Sequence, residues 1–549
     1  MFWRFGSQNT NNAFDTLLER PDITLEEVLL EDQIIQEAQS GNQKLIDFLS
    51  KYDHLSEIVN LFFSLNMNRQ KLPLVASELL ASDIPALTEK WVLRMELVEK
   101  FWNYLDMPFS NDPVSQFQAT YFCKIIRNLL MRYTTKMVTF IKLQPENLKK
   151  ILNHLHSAPI LDLLLILIRL EELPDIKGII KWLTDNGLLT ELMHRLDPNL
   201  DQDDHLIAQQ CIVEIVRMSQ TTLTSAPSIG ANDFIIGLAS KENMELFVFY
   251  MLEQDGPNIN SSFVNSVTII IDIIRNNNSG LEDETATVFN YTPPISLVPL
   301  LETMTENIPK FVHLLKEPRS KGSGLGFERL KVCELFAELL HCSNMIKINA
   351  TDTGDKMKRK WIECDVLPIC IDLFFGFPLN NFLHYIIYDM IHQLFNSPMK
   401  ETNRELVLTL FNQAKLTDRI IEAQKKNDEA CEKAKGMRLG YMGHITFIAD
   451  EIVKLFQGYP EAIEIAVESD LEAWYNFCKT SLKETKERDQ RPFGHIIDHE
   501  TSEQNTLNDE STSPPKSDEE VKENVEWQDE IPKEVNWMEG QAQQESLSA

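Results

Sequence analysis

The segment GMRLGYMGHITFIA, residues 436–449, concentrates residue types that could act chemically. Its three glycines, at 436, 440 and 443, invite comparison with glycine-rich loops that hold phosphate groups. Such loops follow a β-strand, and neither the Walker pattern nor the dinucleotide fingerprint has this glycine spacing. The sequence before the segment reads as helix and offers no strand. We therefore interpret it as a helix start with a close backbone approach, not as a nucleotide site.

Other residues that could support catalysis or metal binding do not form recognisable sets. His154 and His156 are two residues apart, so on a helix they point to different faces, and no usual spacing completes a zinc site. We interpret both as surface histidines. The sequence contains no nucleophile-elbow, zinc-protease or kinase motif. It therefore predicts a protein that is not an enzyme and that needs no cofactor or metal.

Composition excludes further classes of protein. The 549 residues include 52 basic and 83 acidic side chains, a formal charge of -31, which argues against nucleic-acid binding because Lys and Arg supply that affinity. The eight cysteines include no Cys-x-x-Cys pair, so we interpret them as reduced core residues. The most apolar segment, 160–170, is shorter than the roughly 20 residues that span a bilayer. We expect a protein of the cytoplasm, with the nucleus as an additional location, and no membrane span.

The elements that must position these residues are helices. Apolar residues recur at i, i+3, i+4 and i+7 from residue 23 to about 480, and only 19 residues are glycine. Thr24 and Glu27 have the spacing of a capping box. About twenty helices with short connections are too many for one bundle, and stacked helix pairs bury such stripes best. We predict an all-α, armadillo/HEAT-like α-solenoid of stacked helix pairs over residues 1–480.

Three stretches interrupt the helical pattern. Residues 276–296 and 343–363 are polar enough to be long surface loops. The glycine-rich KGSGLGFE at 321–328 is predicted to be a flexible entry to the helix that follows. The second stretch contains the basic cluster KMKRK (356–360), for which an exposed loop is favoured over a nuclear import signal.

The composition changes after residue 480. Residues 491–549 hold 15 acidic and 4 basic side chains and few aliphatic ones, which predicts a disordered acidic tail over 481–549. Ser513 precedes a proline and Ser517 precedes three acidic residues, patterns that suit proline-directed and acidophilic kinases. Both serines are therefore predicted phosphorylation sites.

Four long motifs carry a resemblance to a known family. They are ERPDITLEEVLLEDQIIQEAQSGNQKLIDFL, SAPILDLLLILIRLEE followed by IIKWL, IDLFFGFPLNNFLH, and GMRLGYMGHITFIA. In this order they resemble the SAPS-domain proteins, regulatory subunits of the Ser/Thr protein phosphatase 6 type. The resemblance implies a non-catalytic helical-repeat scaffold that binds the phosphatase catalytic subunit and directs dephosphorylation. In some family members an ankyrin-repeat subunit is a further partner.

The last of these motifs contains predicted partner-binding residues. Arg438 and Tyr441 are interpreted as outward contacts for the phosphatase, whereas His444 is as readily a buried residue. A helix is predicted to start near Gly440, with Gly443 against a neighbouring backbone, because glycine inside a helix costs roughly 1 kcal/mol relative to alanine.

The segment PLNNFLH, residues 378–384, leaves a similar choice. Asn380 is predicted to cap a helix, whereas Asn381 and His384 belong either to an internal network or to the partner interface. A solenoid presents a long face on which a globular partner can dock. That property also suits the rival function, a helical-repeat transport or coat adaptor with no phosphatase partner.

Overall fold

The fold is that of a computed structural model of the chain. It describes the residues in the ranges 11–64, 71–82, 84–219, 228–278, 295–320, 322–345, 352–399, 401–433, 436–459 and 470–489. Within these ranges every regular element is helical, which confirms the predicted all-α class. The predicted phosphorylation sites Ser513 and Ser517 lie outside the described residues and stay predictions.

The α-helices succeed one another with short connections. In chain order they are α1 (Asn11–Leu18), α2 (Leu25–Leu29), α3 (Ile34–Gln39), α4 (Gln43–Leu49), α5 (Tyr52–Phe63), α6 (Lys71–Ala81), α7 (Pro85–Val92), α8 (Met95–Trp102), α9 (Pro113–Arg132), α10 (Thr134–Leu143), α11 (Glu146–Leu152), α12 (Ala158–Arg169), α13 (Ile179–Asp185), α14 (Leu188–His194), α15 (Gln202–Met218), α16 (Asp233–Leu238), α17 (Lys241–Val248), α18 (Ile259–Asn278), α19 (Val298–Lys316), α20 (Gly326–Asn344), α21 (Thr353–Glu363), α22 (Val366–Gly376), α23 (Asn381–Phe395), α24 (Glu401–Leu408), α25 (Leu416–Cys431) and α26 (Met442–Gly458). Two further helices, Leu471–Phe477 and Lys483–Asp489, follow α26.

Local sequence signals start several of these helices. The Thr24 hydroxyl accepts from the Glu27 backbone N–H at 3.3 Å, and the Glu27 carboxylate accepts from the Thr24 N–H at 3.1 Å, which completes the predicted capping box of α2. The Asp112 carboxylate accepts from the backbone N–H groups of Val114 and Ser115 at 2.9 and 3.1 Å and so caps α9.

The helices stack in two rows, as expected for a solenoid. In one row each helix packs on the next in the order α6, α9, α12, α15, α18, α20, α23 and α26. In the other row α14 packs on α17, α17 on α19, α19 on α21, and α21 on α24. One hydrophobic core, from Phe14 to Leu482, runs through the stack. This arrangement confirms the predicted α-solenoid of stacked helices.

The predicted loop at 343–363 is wrong in its second half. Residues 353–363 form α21, in which Lys358 is buried and Trp361 is 1% exposed. The Trp361 ring packs on Phe336 with 5.4 Å between centroids. The KMKRK cluster therefore lies on a helix that is anchored to the core and not in an exposed loop. The many charged residues of this segment obscured its two fully buried apolar residues, Met357 and Trp361, in the sequence pattern.

The other two interruptions fall at helix ends. The stretch 321–328 leads into α20, which begins at Gly326, whose φ of 77° is in the left-handed region that glycine tolerates best. The flexibility of this entry stays a prediction. The helix α18 continues to Asn278, so the stretch 276–296 begins helical. Its central residues, 279–294, lie outside the described part of the chain.

The chain divides into two compact units, Met1–Gln490 and Arg491–Ala549. The helix Lys483–Asp489 belongs to the first unit, although it lies beyond the predicted domain boundary at 480. The second unit lies outside the described residues, so the disorder of the tail stays a prediction. No helix among the described residues is long and apolar enough to cross a membrane.

The cysteines carry free thiols, and most of them lie in the core. Five of the eight are buried, which confirms the core interpretation for those five, whereas Cys431 is exposed. Burial raises the pKa of the Cys211 thiol to about 12, with a smaller opposing effect of the Arg195 charge. A thiol with a raised pKa is a weak nucleophile at neutral pH, so this residue is suited to packing and not to chemistry.

Candidate partner-docking site

The motifs IDLFFGFPLNNFLH and GMRLGYMGHITFIA, far apart in the chain, meet in the structure. The first spans the end of α22, a short turn and the start of α23, which Asn380 caps by accepting from the Leu383 N–H at 3.0 Å. This confirms the predicted cap. In the second motif, Gly440 lies against that turn so closely that a Cβ there would clash with the Pro378 carbonyl oxygen. The turn thereby fixes where α26 begins.

The glycines of the second motif have different roles. The helix α26 begins at Met442 with Tyr441 as its N-cap residue, which confirms a helix start near Gly440. A Cβ at Gly443 would meet nothing within 4 Å. The prediction that Gly443 sits against a neighbouring backbone is therefore wrong, because the first turn of α26 leaves that position on its open side and Gly440 makes the close approach.

Tyr441 belongs to an aromatic cluster under this junction. Its ring centroid lies 5.9 Å from Phe374, 5.7 Å from Phe375 and 5.9 Å from His384. The Tyr441 side chain is 5% exposed and that of His384 is 0% exposed. This burial corrects the prediction that Tyr441 is an outward contact, and it places His384 in an internal network. Burial also raises the pKa of Tyr441.

His384 and His444 form a neutral pair beside the cluster, with ring centroids 5.6 Å apart. Burial lowers the pKa of His384 to about 4, the charge of His444 adds to this effect, and burial lowers the pKa of His444 as well. Neutral His384 donates from Nε2 to the Phe377 carbonyl oxygen at 3.0 Å. The Nδ1 atoms of both rings are buried and find no hydrogen-bond partner among the described residues.

Arg438 and Asn381 lie at the surface. Asn381 is the first residue of α23 and is exposed. The Arg438 guanidinium lies 3.6 Å from the Asp489 carboxylate, and both side chains are partly open to solvent. An exposed ion pair contributes about 0–1 kcal/mol, so a partner could replace it at little cost. Of the five predicted contacts, these two have the accessibility that direct binding requires.

Exposed apolar side chains surround the junction of the two motifs. Their exposed fractions range from 63% to 87%. Single exposed apolar residues are ordinary, but several on adjoining segments mark an interaction site. Leu325 and Ser323, at the entry to α20, line a cleft of about 540 Å³ together with residues 376–382. The exposed apolar side chains are those of Phe327, Leu379, Phe382, Tyr385 and Met437, and we call these five residues the apolar patch.

Sequence reasoning missed the apolar patch, although the sequence holds a signal for it. Residues 373–388 contain no charged side chain in a chain that is 25% charged. Within α23 the buried stripe includes Leu383, Ile387 and Met390, so Phe382 and Tyr385 lie off that stripe. A helix that is apolar on more than one face needs a second surface to cover it.

The histidines at 154 and 156 do not both lie on the surface. His154 is buried, with Nδ1 2.9 Å from the Lys150 carbonyl oxygen and Nε2 2.8 Å from that of Met107. The surface interpretation is wrong for His154, because this ring joins α11 to the chain after α8. His156 is exposed, which confirms the surface interpretation for this residue, and it lies 3.3 Å from Asp204. In the described part of the chain no group of three or more His, Cys, Asp or Glu side chains could hold a metal ion.

Residues 126–491 match the family described as SIT4 phosphatase-associated protein, SAPS. This range includes both motifs of the junction and all of the apolar patch.

Curated relatives cover most of this chain. Extragenic suppressor of kinetochore protein 1 from Schizosaccharomyces pombe is 27% identical over 665 residues, which cover 90% of this chain and 78% of that one. Serine/threonine-protein phosphatase 6 regulatory subunit 3-A from Xenopus laevis is 28% identical, with 89% and 60% covered. The human regulatory subunit 1 is 26% identical, with 89% and 59% covered. The chain thus spans about three fifths of the length of these two vertebrate relatives.

Proposed function

The chain belongs to the SAPS family of SIT4 phosphatase-associated proteins, and from this membership we propose that it is a non-catalytic regulatory subunit of a protein phosphatase 6-type Ser/Thr phosphatase. In this role it binds the catalytic subunit and directs its substrate choice or its location. The observation that carries the proposal is the family match over 126–491, supported by relatives named as phosphatase 6 regulatory subunits. A solenoid supplies the extended surface that such a scaffold needs.

The catalytic subunit docks, in this proposal, on the apolar patch. The uncharged run 373–388 supports this placement, because a surface without charged groups is desolvated at little cost when a partner covers it. Interface centres are typically depleted of charge and contain aromatic residues, here Phe382 and Tyr385, with polar residues at the rim. Arg438 and Asn381 are suited to that rim.

Two buried residues of the junction, Tyr441 and His384, and half-buried His444 act indirectly in this proposal. Tyr441, His384 and His444 pack beneath the patch, and Gly440 lets α26 approach the turn at Pro378. They hold the patch in one geometry, which lowers the entropy that binding must remove. Their replacement would weaken binding through loss of shape and would also lower stability.

Affinity purification of the full chain from cells tests the role and the surface together. The catalytic subunit of a phosphatase 6-type enzyme should co-purify with the wild type. The amount of co-purified catalytic subunit should fall at least about tenfold for the double variant Leu379→Glu with Phe382→Glu, because central apolar residues carry most of the binding energy of an interface. Leu143→Glu is the matched control, since Leu143 is 72% exposed at the end of α10.

The outcomes separate the two claims. If no phosphatase catalytic subunit accompanies the wild type, the regulatory role is wrong, and coat or transport proteins in its place would establish the adaptor role. If the double variant retains the phosphatase as well as Leu143→Glu does, the role stands and the docking surface is wrong. The same purification reveals whether an ankyrin-repeat subunit joins, as the family resemblance implies for some members.

The cellular location belongs to the same proposal. We place the protein in the cytoplasm, with the nucleus as an additional location. Eight free cysteines and a formal charge of -31 support a reducing compartment and a role without nucleic acid. Fluorescence imaging of the tagged chain tests this, and a signal confined to the secretory pathway would contradict it.

A further inference from the structure

A polar groove lies between α18, α20 and α23, on the row of helices that also carries the apolar patch. Its volume is about 640 Å³. Its floor and walls carry amide, carboxylate and imidazole groups and one guanidinium, whereas the patch beside it is apolar. The lining residues that matter below are Arg275, Asn278, Glu338, Tyr385, Asp389 and Gln393.

Asn278, the last residue of α18, is the most unusual of these. It is 1% exposed, and neither its amide nitrogen nor its amide oxygen has a hydrogen-bond partner among the described residues. Buried polar side chains are nearly always paired, so an amide that lines a groove with both of its groups unused is explained best by a ligand. The Asn278 amide offers N–H donors and a carbonyl acceptor, and a peptide unit, with its own C=O and N–H, can pair with both.

Gln393 adds a second unused acceptor. Its Nε2 donates to the Asp389 carboxylate at 2.7 Å and to the Ala337 carbonyl oxygen at 3.4 Å. Its Oε1 is buried and has no partner in the described part of the chain. The bond to Asp389 fixes the amide so that its oxygen is held in place for a donor from outside.

The charges of the groove favour a cation at one position. The Arg275 guanidinium is already occupied, because it donates to Glu338 at 2.7 Å and to Glu334 at 3.1 Å. Asp389 pairs with no Lys or Arg among the residues that the structure describes, and only Gln393 donates to it. Burial raises the pKa of Glu338 and the Asp389 charge contributes in the same direction, which places two carboxylates in one electrostatic environment.

We propose that this groove binds an extended peptide segment of a partner protein, in which main-chain groups pair with Asn278 and Gln393 and a Lys or Arg side chain pairs with Asp389. An extended segment is required because a helix uses its own N–H and C=O groups internally. The site goes beyond the docking of a catalytic subunit and does not depend on it. Tyr385 lines the groove and also belongs to the apolar patch, so a bound segment lies beside that patch.

Selection from a random peptide library displayed on phage, with the full chain as bait, tests this site. Enriched peptides should carry a Lys or Arg at one recurring position. They should bind Asn278→Leu about tenfold more weakly than the wild type, since each hydrogen bond to an otherwise buried polar group is of that order. Asn265→Leu is the matched control, because Asn265 lies on the same helix and its amide bonds to Ser261 outside the groove.

A second selection uses a variant in which the charge at Asp389 is reversed. Selection on Asp389→Lys should replace the recurring basic residue with Asp or Glu, an outcome that a purely structural Asp389 would not produce. The melting temperature of Asn278→Leu should equal or exceed that of the wild type, because the variant removes an unpaired buried amide. A lower melting temperature would assign Asn278 to the fold. Failure to enrich peptides over the bait-free control, or an unchanged selection on Asp389→Lys, would overturn the proposal.

Discussion

Two aromatic clusters of this chain differ in what surrounds them. The amino-terminal cluster joins α5, α8 and α9 through Phe62, Phe101 and Phe122, all 0% exposed, with centroids 4.8 and 5.3 Å apart. The carboxy-terminal cluster joins α22, α23 and the start of α26 through Phe374, Tyr441 and their neighbours. Both are buried, and the second lies beneath the exposed side chains of the apolar patch.

The two clusters also differ in the residues that accompany their aromatic rings. In the amino-terminal cluster the rings contact further buried aromatic residues such as Trp91, 5.4 Å from Phe101, and Trp91 Nε1 is buried without a hydrogen-bond partner among the described residues. The carboxy-terminal cluster includes buried His384 and half-buried His444, each with an Nδ1 atom that has no partner among the described residues, and Gly440 held against a turn. Unpaired polar atoms therefore occur in both clusters, and the second adds the close approach of Gly440 to a backbone carbonyl. Such an approach costs stability, and proteins keep it where a surface must be held in a defined shape.

The largest effect is expected in the amino-terminal cluster. Phe101→Ala should lower the free energy of unfolding by about 3–5 kcal/mol, because it removes a fully buried ring and leaves a cavity. Phe382→Ala, in the apolar patch, should change it by no more than about 0.5 kcal/mol, since Phe382 is 77% exposed. Urea unfolding followed by circular dichroism measures both. A comparable loss for Phe382→Ala would show that the patch belongs to the core.

An intermediate effect is expected from the two glycines of the carboxy-terminal cluster. Gly440→Ala should destabilise by about 1–3 kcal/mol, because the new methyl group meets a backbone carbonyl that cannot move freely. Gly443→Ala should stabilise by about 0.5–1 kcal/mol, because the position is open and alanine favours the helix. Thermal unfolding of the pair gives the comparison directly. Equal effects of the two substitutions would show that the close approach to Pro378 is not what requires a glycine at position 440.

The third prediction concerns the dependence of stability on pH that His384 confers. The folded-state pKa of His384 is about 4 against an ordinary value of 6.5, so between these values the unfolded chain binds more protons than the folded one. Stability must then rise with pH across this window, and it is lost as pH falls from about 6.5 toward 4.

Urea midpoints measured from pH 7 to pH 4 test this dependence. The midpoint of the wild type should fall with pH in the window where His384→Gln shows a shallower decline, because glutamine does not titrate. His156→Gln is a control, since His156 is exposed and lies far along the chain from the cluster. Parallel curves for the wild type and His384→Gln would assign the acid loss to other groups.

Sequence reasoning succeeded where the deciding contacts are local. The capping box of Thr24 and Glu27 and the cap at Asn380 involve residues three apart, and both are present. It failed at α21, where the charges of KMKRK concealed a stripe that buries Trp361. It also assigned the close backbone approach to Gly443, whereas the structure has it at Gly440, because the Pro378 turn that lies beside Gly440 is distant in sequence.

The sequence by itself determined the helical class, the stacking of helices and the motifs that identify the family. Those properties follow from the period of apolar residues and from interactions within one helical turn. Only the tertiary structure decided that the motifs at 371–384 and 436–449 meet, that Tyr441 and His384 face inward, and that Phe382 and Tyr385 face solvent. The physical reason is that burial of a side chain depends on which helix lies next to it, and no residue near it in sequence specifies that neighbour.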